Sequence, residues 1–185
     1  MDLHERGVEE PLLFIADGLP GIVEEIKQLY PRADFKLCTV HASRNFEAHV
    51  RVQDRNEIDP CLKGIFLSRS RGEALDQFNA YKSKWSSRYH MPIYNMEKNP
   101  GILLKYYDYP ESIRSSLHSS NIKERMNKEI RRRIKIIDTL PTEESAMKII
   151  YLRVAEINEA WSQRTLRGFY KCMDEIREMF QKRYP

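Results

Sequence analysis

The pattern that most constrains the fold is a strand, a helix and a second strand within the first forty or so residues. Residues 11–16 are apolar on both faces of an extended chain, which is typical of a parallel strand covered by helices. Asp17 follows at the carboxyl end of that strand, and apolar residues recur at helical spacing over 22–30 until Pro31 ends the pattern. The segment DFKLCTVH (34–41) predicts a second short strand. The order strand, crossover helix, strand indicates an α/β unit with a parallel sheet.

Residues that typically cap or terminate helices predict where the neighbouring helices begin and end. Residues 2–7 are interpreted as the tail of a helix that Gly7 ends at the C′ position. Pro20 falls where the first turn of a helix tolerates proline. Residues 119–121 (Ser-Ser-Asn) offer an amino-terminal cap for a later helix, and Thr142 offers one for the next. The rest of the chain is predicted to be helical to about residue 182.

After the second strand, the pattern changes to a long helical region. Residues 42–107 show helical spacing, many charges and few strand signals, although two prolines and a glycine predict a loop at 92–101. Aromatic residues recur every three or four positions on one face: Phe78, Tyr81, Trp85 and Tyr89. We interpret this face as core packing. The alternative for Trp85 is stacking on a flipped or terminal base.

Composition excludes several classes of protein. With 41% hydrophobic and 31% charged residues, the chain is typical of a globular rather than a disordered protein. No apolar run approaches the roughly 20 residues of a membrane helix, and the charged start MDLHERGVEE is not a secretory signal. Three cysteines without a Cys-x-x-Cys pair argue against a disulfide framework. We therefore predict a cytoplasmic protein with no membrane partner.

The positive charge is concentrated in one segment of helix length. Residues 121–135 carry seven basic and two acidic side chains, a net charge of +5 in a chain whose total is +4. A basic surface of this kind is expected where a protein meets phosphate groups. A solvated helix face explains the same charges without any ligand.

Two carboxylates are candidate site residues. Ligands of parallel α/β sheets bind outside the carboxyl ends of strands, where Asp17 lies, although an Asp there more often caps the following helix. The basic helix has an apolar stripe at i, i+4 spacing: Ile122, Met126, Ile130 and Ile134. Glu124 points away from this stripe, on the side of Asn127 and Arg131. The alternative for Glu124 is a surface pair with Lys128.

Three ordered motifs resemble the catalytic domain of bacterial insertion-sequence transposases of the Mutator family. They are RGV (6–8) with LLFIADGLPGI (12–22), LCTVHASRN (37–45) and YYDYPESIRSSLHSSNIKERMN (106–127). In that family a strand-end Asp precedes Gly-Leu and a helix, which Asp17 fits. A Cys- or Asp-x-x-His motif closes the next strand, which Cys38 and His41 fit. A final Asn-x-Ile-Glu-x-x-Asn motif carries an acidic residue, which Asn121, Glu124 and Asn127 fit, with Lys123 in place of isoleucine.

This resemblance implies an α/β architecture. The implied architecture is a partial ribonuclease-H-like fold, with two remaining parallel strands and a large all-helical insertion. Residues 1–41 would form part of the catalytic core and 42–105 the insertion. Residues 106–140 would form the core helix with the acidic residue and the basic face. Residues 141–185 would form carboxyl-terminal helices.

The resemblance also implies the chemistry of an Asp-Asp-Glu transposase, which cuts DNA and joins it at insertion-sequence ends. Asp17 and Glu124 would be catalytic and would bind Mg²⁺ (or Mn²⁺), the metal on which in-line displacement at phosphorus depends. The residues implied to contact the DNA backbone are Lys123, Arg125, Lys128, Arg131, Arg132 and Arg133. Cys38 and His41 have the spacing of one ligand pair of a zinc site, but the sequence has no second pair of matching spacing. They are interpreted as structural markers of the family.

One carboxylate of the implied triad has no counterpart, because the family's first Asp lies on a strand upstream of the helix whose tail is predicted at residues 2–7. We therefore expect a truncated copy with little activity by itself. The alternative is a non-catalytic DNA-binding fragment, or one that interferes with an intact transposase. DNA, a second copy of the chain and the missing amino-terminal half are the implied partners, and a location at the bacterial nucleoid is expected when DNA is bound.

Overall fold

The computed structural model describes residues 3–98, 100–118, 121–135 and 142–185, with the backbone alone at residues 4 and 121–123. The α-helices are α1 Ile22–Leu29, α2 Thr39–Ala48, α3 Val52–Phe66, α4 Arg71–Trp85, α5 His90–Glu97, α6 Pro100–Leu103, α7 Glu111–Leu117, α8 Asn121–Lys135, α9 Glu143–Ser162 and α10 Met173–Arg183. Short 3₁₀ helices lie at His4–Arg6, Lys105–Asp108 and Phe169–Lys171.

The predicted α/β unit is confirmed. Strand β1 (Leu13–Ala16) pairs in parallel with β2 (Asp34–Leu37), in a register that places Leu13 beside Asp34 and Ala16 beside Leu37. Helix α1 connects the two strands. The parallel arrangement brings the carboxyl ends of both strands to the same edge, so that Asp17 and Cys38 leave the sheet side by side.

The hydrophobic core lies mainly among helices α2 to α7 rather than around the sheet. Ile58, Leu62 and Ile65 of α3 are almost fully buried against the aromatic face of α4. Trp85 belongs to that face and is 6% exposed, which confirms the interpretation as core packing and leaves little ring surface for a DNA base. The strands contribute half-buried residues such as Ile15 to the edge of this core.

The carboxyl-terminal helix is anchored on the beginning of the sheet. Arg183 at the end of α10 donates hydrogen bonds to the Leu12 carbonyl (2.8 Å) and to the Asp34 carboxylate (2.9 Å). Tyr184 donates to the Pro11 carbonyl at 2.8 Å. The carboxyl-terminal end of the chain therefore lies at the amino-terminal edge of the strands, opposite Asp17.

Several predicted boundaries are wrong. The second strand ends at Leu37 instead of residue 41, because α2 begins at Thr39 and buries Thr39 and Phe46 on one helix face. The β-branched pair Thr39-Val40 favours a strand locally, but burial decides the conformation. Residues 92–101 are largely helical rather than a loop. Pro92 lies in the first turn of α5, where its missing N–H costs no hydrogen bond.

Predictions about the helix ends had mixed outcomes. Residues 4–6 form a 3₁₀ turn before Gly7 (φ +81°), and α1 begins at Ile22 after a Gly21 cap, beyond Pro20. The predicted cap at Thr142 is confirmed, since its hydroxyl accepts a hydrogen bond from the Ser145 amide at 3.1 Å. The cap prediction at residues 119 and 120 lies outside the described residues. No helix within the described ranges is long and apolar enough to cross a membrane.

Candidate active site

A cavity of about 730 Å³ opens where the carboxyl ends of the strands face helices α2, α5 and α6. Asp17 lines this cavity with an exposed side chain, and it forms no hydrogen bond or ion pair with any other described residue. The suggestion that Asp17 caps α1 is therefore wrong. The cap is Gly21, and no side chain bonds the first helical amides. The carboxylate of Asp17 is left available for a ligand.

Glycine at position 18 allows the chain to turn immediately after Asp17. Gly18 has φ +75°, a left-handed conformation that side-chain-bearing residues rarely adopt. A Cβ atom at this position would also lie 2.6 Å from Cδ2 of Leu37. The close approach of Gly18 to the end of β2 keeps Asp17 at the edge of the sheet.

Glu124 lies beside the same cavity. Its Oε1 atom is 3.6 Å from Nε2 of His41 and 3.5 Å from Nη1 of Arg44, and both partners line the cavity with Asp17. The suggested surface pair with Lys128 is wrong, since Glu124 is paired across the fold instead. Oε1 is buried and has no hydrogen-bond partner among the described residues, because both contacts are longer than a hydrogen bond.

Two consecutive backbone amides join the segments that carry Asp17 and Glu124. The amide of Cys38 donates to the carbonyl of Ala16, the residue before Asp17, at 2.8 Å. The next amide, of Thr39, donates to the carbonyl of His118 at 3.0 Å. His118 is the last described residue before α8 and precedes Glu124 by six positions. The first residues after β2 thus hold both acidic segments at one place.

The Cys-x-x-His motif begins α2 rather than closing the strand. Cys38 is the amino-terminal cap residue of α2 and is 1% exposed, whereas His41 lies in the first turn and faces Glu124. Within the described part of the chain there is no group of three or more His, Cys, Asp or Glu side chains placed to hold a metal ion. The motif therefore positions His41, and the structure offers it no zinc-binding partner pair among the described residues.

A buried lysine behind the site was missed by sequence reasoning. Lys36 in β2 is fully buried, and its Nζ donates to the carbonyls of Leu37 (2.8 Å) and His118 (3.0 Å). Burial lowers the pKa of Lys36 to about 8 despite an opposing effect of Cys38. Burial, helped by the Lys36 charge, also lowers the pKa of His118 to about 4. The available signal was a charged residue between apolar neighbours inside the second predicted strand of the parallel pair.

The basic residues of α8 are presented to solvent. Five of the cations predicted to contact DNA are exposed and form no ion pair with another described residue: Arg125, Lys128, Arg131, Arg132 and Arg133. Helix α8 is held against α9 by Glu129, which accepts from Arg153 at 2.9 Å. Asn127 is half-buried. The side chains of Asn121 and Lys123 lie outside the described residues.

Comparison with known proteins decides the family. The family model described as "Transposase, Mutator family" matches residues 1–164. This chain belongs to the Mutator family of transposases. The resemblance found in its motifs is thereby confirmed.

Transposases of several insertion sequence elements are similar to most of this chain. The transposase for insertion sequence element IS1201 of Lactobacillus helveticus is 37% identical over 143 residues, which are 77% of this chain and 39% of the relative. The transposase for IS905 of Lactococcus lactis is 30% identical over 178 residues, 96% of this chain and 45% of the relative. The chain therefore spans less than half the length of these relatives.

Proposed function

We propose that this chain contributes to metal-dependent DNA strand cleavage and transfer at insertion-sequence ends, with Asp17 and Glu124 as two of the carboxylates of the site. The observation that supports the proposal most is the pair of backbone hydrogen bonds donated by the amides of Cys38 and Thr39. It brings two acidic segments, separated by more than a hundred residues, to one cavity. We further assign β1, β2 and α8 to a partial ribonuclease-H-like core.

The two carboxylates fit a hard divalent cation such as Mg²⁺ or Mn²⁺, which prefers oxygen ligands. Oε1 of Glu124 is buried without a hydrogen bond, a condition that is unfavourable in proteins unless a ligand or water completes it. When bound, such ions activate the attacking oxygen and stabilise the leaving oxygen at phosphorus. Two carboxylates do not complete such a site, so a further acidic ligand is expected from outside the cavity residues described.

Positive side chains near the carboxylates would orient the DNA. Arg44 is 62% exposed, lines the cavity and lies 3.5 Å from Glu124, so it can contact a phosphate placed between the acidic residues. The exposed cations of α8 would hold the DNA backbone without reading its sequence. His41, on the inner side of Glu124, limits the movement of that carboxylate.

The proposal is tested by replacing each carboxylate with its amide. We expect Asp17→Asn and Glu124→Gln to weaken Mn²⁺ binding, measured by electron paramagnetic resonance, by more than about tenfold, since even outer-shell changes at metal sites cost that much. DNA binding, measured by fluorescence anisotropy, should persist in both variants. The matched control is Glu144→Gln, at a carboxylate 77% exposed on α9. Equal Mn²⁺ binding by the wild type and both variants would contradict the proposal.

A second candidate is a non-catalytic DNA-binding or interfering fragment. The observation that favours it is the contrast between the exposed cations on α8 and the lack of a three-ligand metal cluster among the described residues. This candidate predicts no Mn²⁺ binding, unchanged DNA binding in Asp17→Asn and Glu124→Gln, and inhibition of an intact relative when the chain is added. The same set of proteins therefore separates the two functions.

A further inference from the structure

We propose that Lys36 is a positioning residue that holds the start of α8 against α2, so that Glu124 stays at the cavity that Asp17 lines. Its relevance to catalysis rests on the proposed function above, whereas its effect on the position of α8 does not.

Three donors converge on one carbonyl oxygen. The oxygen of His118 accepts from Nζ of Lys36 at 3.0 Å, from the hydroxyl of Thr39 at 2.5 Å and from the amide of Thr39 at 3.0 Å. A carbonyl oxygen has only two lone pairs, so its accepting capacity is fully used. This cluster, which we call the His118 latch, joins the end of β2 and the start of α2 to His118, the carboxyl-terminal cap residue of α7, which precedes the first residue of α8 by three positions.

Stability alone does not explain a lysine at this position. Lys36 is 0% exposed and packs 5.2 Å from the centre of the Tyr106 ring, in surroundings that an apolar side chain of the same length would also fill. Burying an amine carries a desolvation cost that apolar replacements avoid. What the lysine adds is two hydrogen bonds. One is to the carbonyl of Leu37 at the end of β2, and the other is to the carbonyl of His118 at the end of α7.

Among the described residues, helix α8 packs mainly against α9. None of its side chains that the structure describes is fully buried, and its main packing partner is α9, through pairs such as Glu129 with Arg153. Within the described part of the chain, the contacts that relate Glu124 to the strands are the latch and the long contacts of its carboxylate with His41 and Arg44. Loss of the latch should let α8 and α9 shift together away from the cavity.

The latch does not depend on the charge of the lysine. The groups facing Nζ are the backbone carbonyls of Leu37 and His118, the thiol of Cys38 and the rings of Tyr106 and His118. A neutral amine retains two N–H groups, enough for both carbonyls. The position of α8 should accordingly be the same on either side of pH 8.

Hydrogen exchange provides a readout that a general loss of stability would not reproduce. In Lys36→Met we expect amides of residues 125–131 to exchange about threefold to tenfold faster, which corresponds to the loss of one hydrogen bond in a local opening. Amides of β1 and β2 should be unchanged. Mn²⁺ binding should weaken by a similar factor. The matched control is Lys63→Met, at an exposed lysine of α3.

A second variant keeps the test informative if Lys36→Met does not fold. Thr39→Val removes the hydroxyl donor to the same carbonyl with little change of shape, and it should give the same local pattern. Uniform acceleration throughout the chain, or none in residues 125–131, would overturn the proposal. Localised acceleration in a protein that binds no Mn²⁺ would preserve the positioning role and refute the proposed function, so the two failures are distinguishable.

Discussion

Replacement of Asp34 by asparagine should destabilise the sheet that carries Asp17. Asp34 opens β2, and its side chain is only 17% exposed. The carboxylate accepts hydrogen bonds from Lys105 (2.8 Å), Tyr109 (3.0 Å) and Arg183 (2.9 Å). It therefore joins three separate parts of the chain at one edge of the sheet. Asparagine keeps the shape but removes the negative charge that Asp34 offers to Lys105 and Arg183.

The size of the effect follows from these contacts. Breaking a buried ion pair by removing one partner costs about 3–5 kcal/mol, and a hydrogen bond to a charged group contributes about 1.5–3 kcal/mol. Asp34 retains some solvent access, Lys105 keeps its pair with Asp108 (3.0 Å), and asparagine still accepts one hydrogen bond. We therefore expect Asp34→Asn to lower the free energy of unfolding by about 2–4 kcal/mol at pH 7.

The same residue predicts a pH dependence. Burial alone would raise the pKa of Asp34, but hydrogen bonds from Lys105, Tyr109 and Arg183 outweigh it and hold the pKa below the usual 3.8. A lowered pKa means that the stabilisation is fully present above about pH 3.8 and is lost as the pH falls through the folded-state value. The difference between wild type and Asp34→Asn should therefore shrink in acid.

Urea unfolding followed by circular dichroism at pH 7 and at decreasing pH measures both effects. The matched control is Asp174→Asn, because Asp174 is 93% exposed and its one ion pair among the described residues is with Arg177 on the same helix. Such a pair should contribute nothing measurable. A change in the free energy of unfolding no larger than the control's, or an effect as large at pH 2.5 as at pH 7, would show that the Asp34 carboxylate does not stabilise the sheet through these contacts.

Two further predictions concern the glycine after α9 and the basic residues of α8. Gly168→Ala should lower the free energy of unfolding by about 2 kcal/mol or more in thermal or urea unfolding, because Gly168 has φ +84° and a Cβ there would lie 1.8 Å from the Ser112 carbonyl oxygen. Gly101→Ala, with open space at its Cβ position, should have no comparable effect. Replacing residues 131–133 by alanine should weaken DNA binding across sequences and reduce the salt slope in fluorescence anisotropy by about three. An unchanged slope, or an equal change in Lys148→Ala, would show that this face does not meet DNA.

Local sequence signals were sufficient for part of the fold and of the site. The apolar run before Asp17 and the crossover that follows it predicted the parallel pair, and i, i+4 spacing predicted α8 and its exposed cations. Proline was a less reliable signal than the spacing of apolar residues. Pro92 and Pro100 suggested a loop but lie in the first turns of α5 and α6, where proline is equally well accommodated. The local sequence does not distinguish these two uses.

The sequence by itself determined which residues carry acidic and basic chemistry, and the motifs around Asp17 and Glu124 indicated the family that comparison then confirmed. Only the tertiary structure decided where Glu124 points and what lies behind it. The contacts of Glu124 with His41 and Arg44, and the latch from Lys36, join segments about eighty residues apart. Periodicity reports the face of a helix on which a residue lies, but not the partner that the face meets. That partner depends on how the whole core packs.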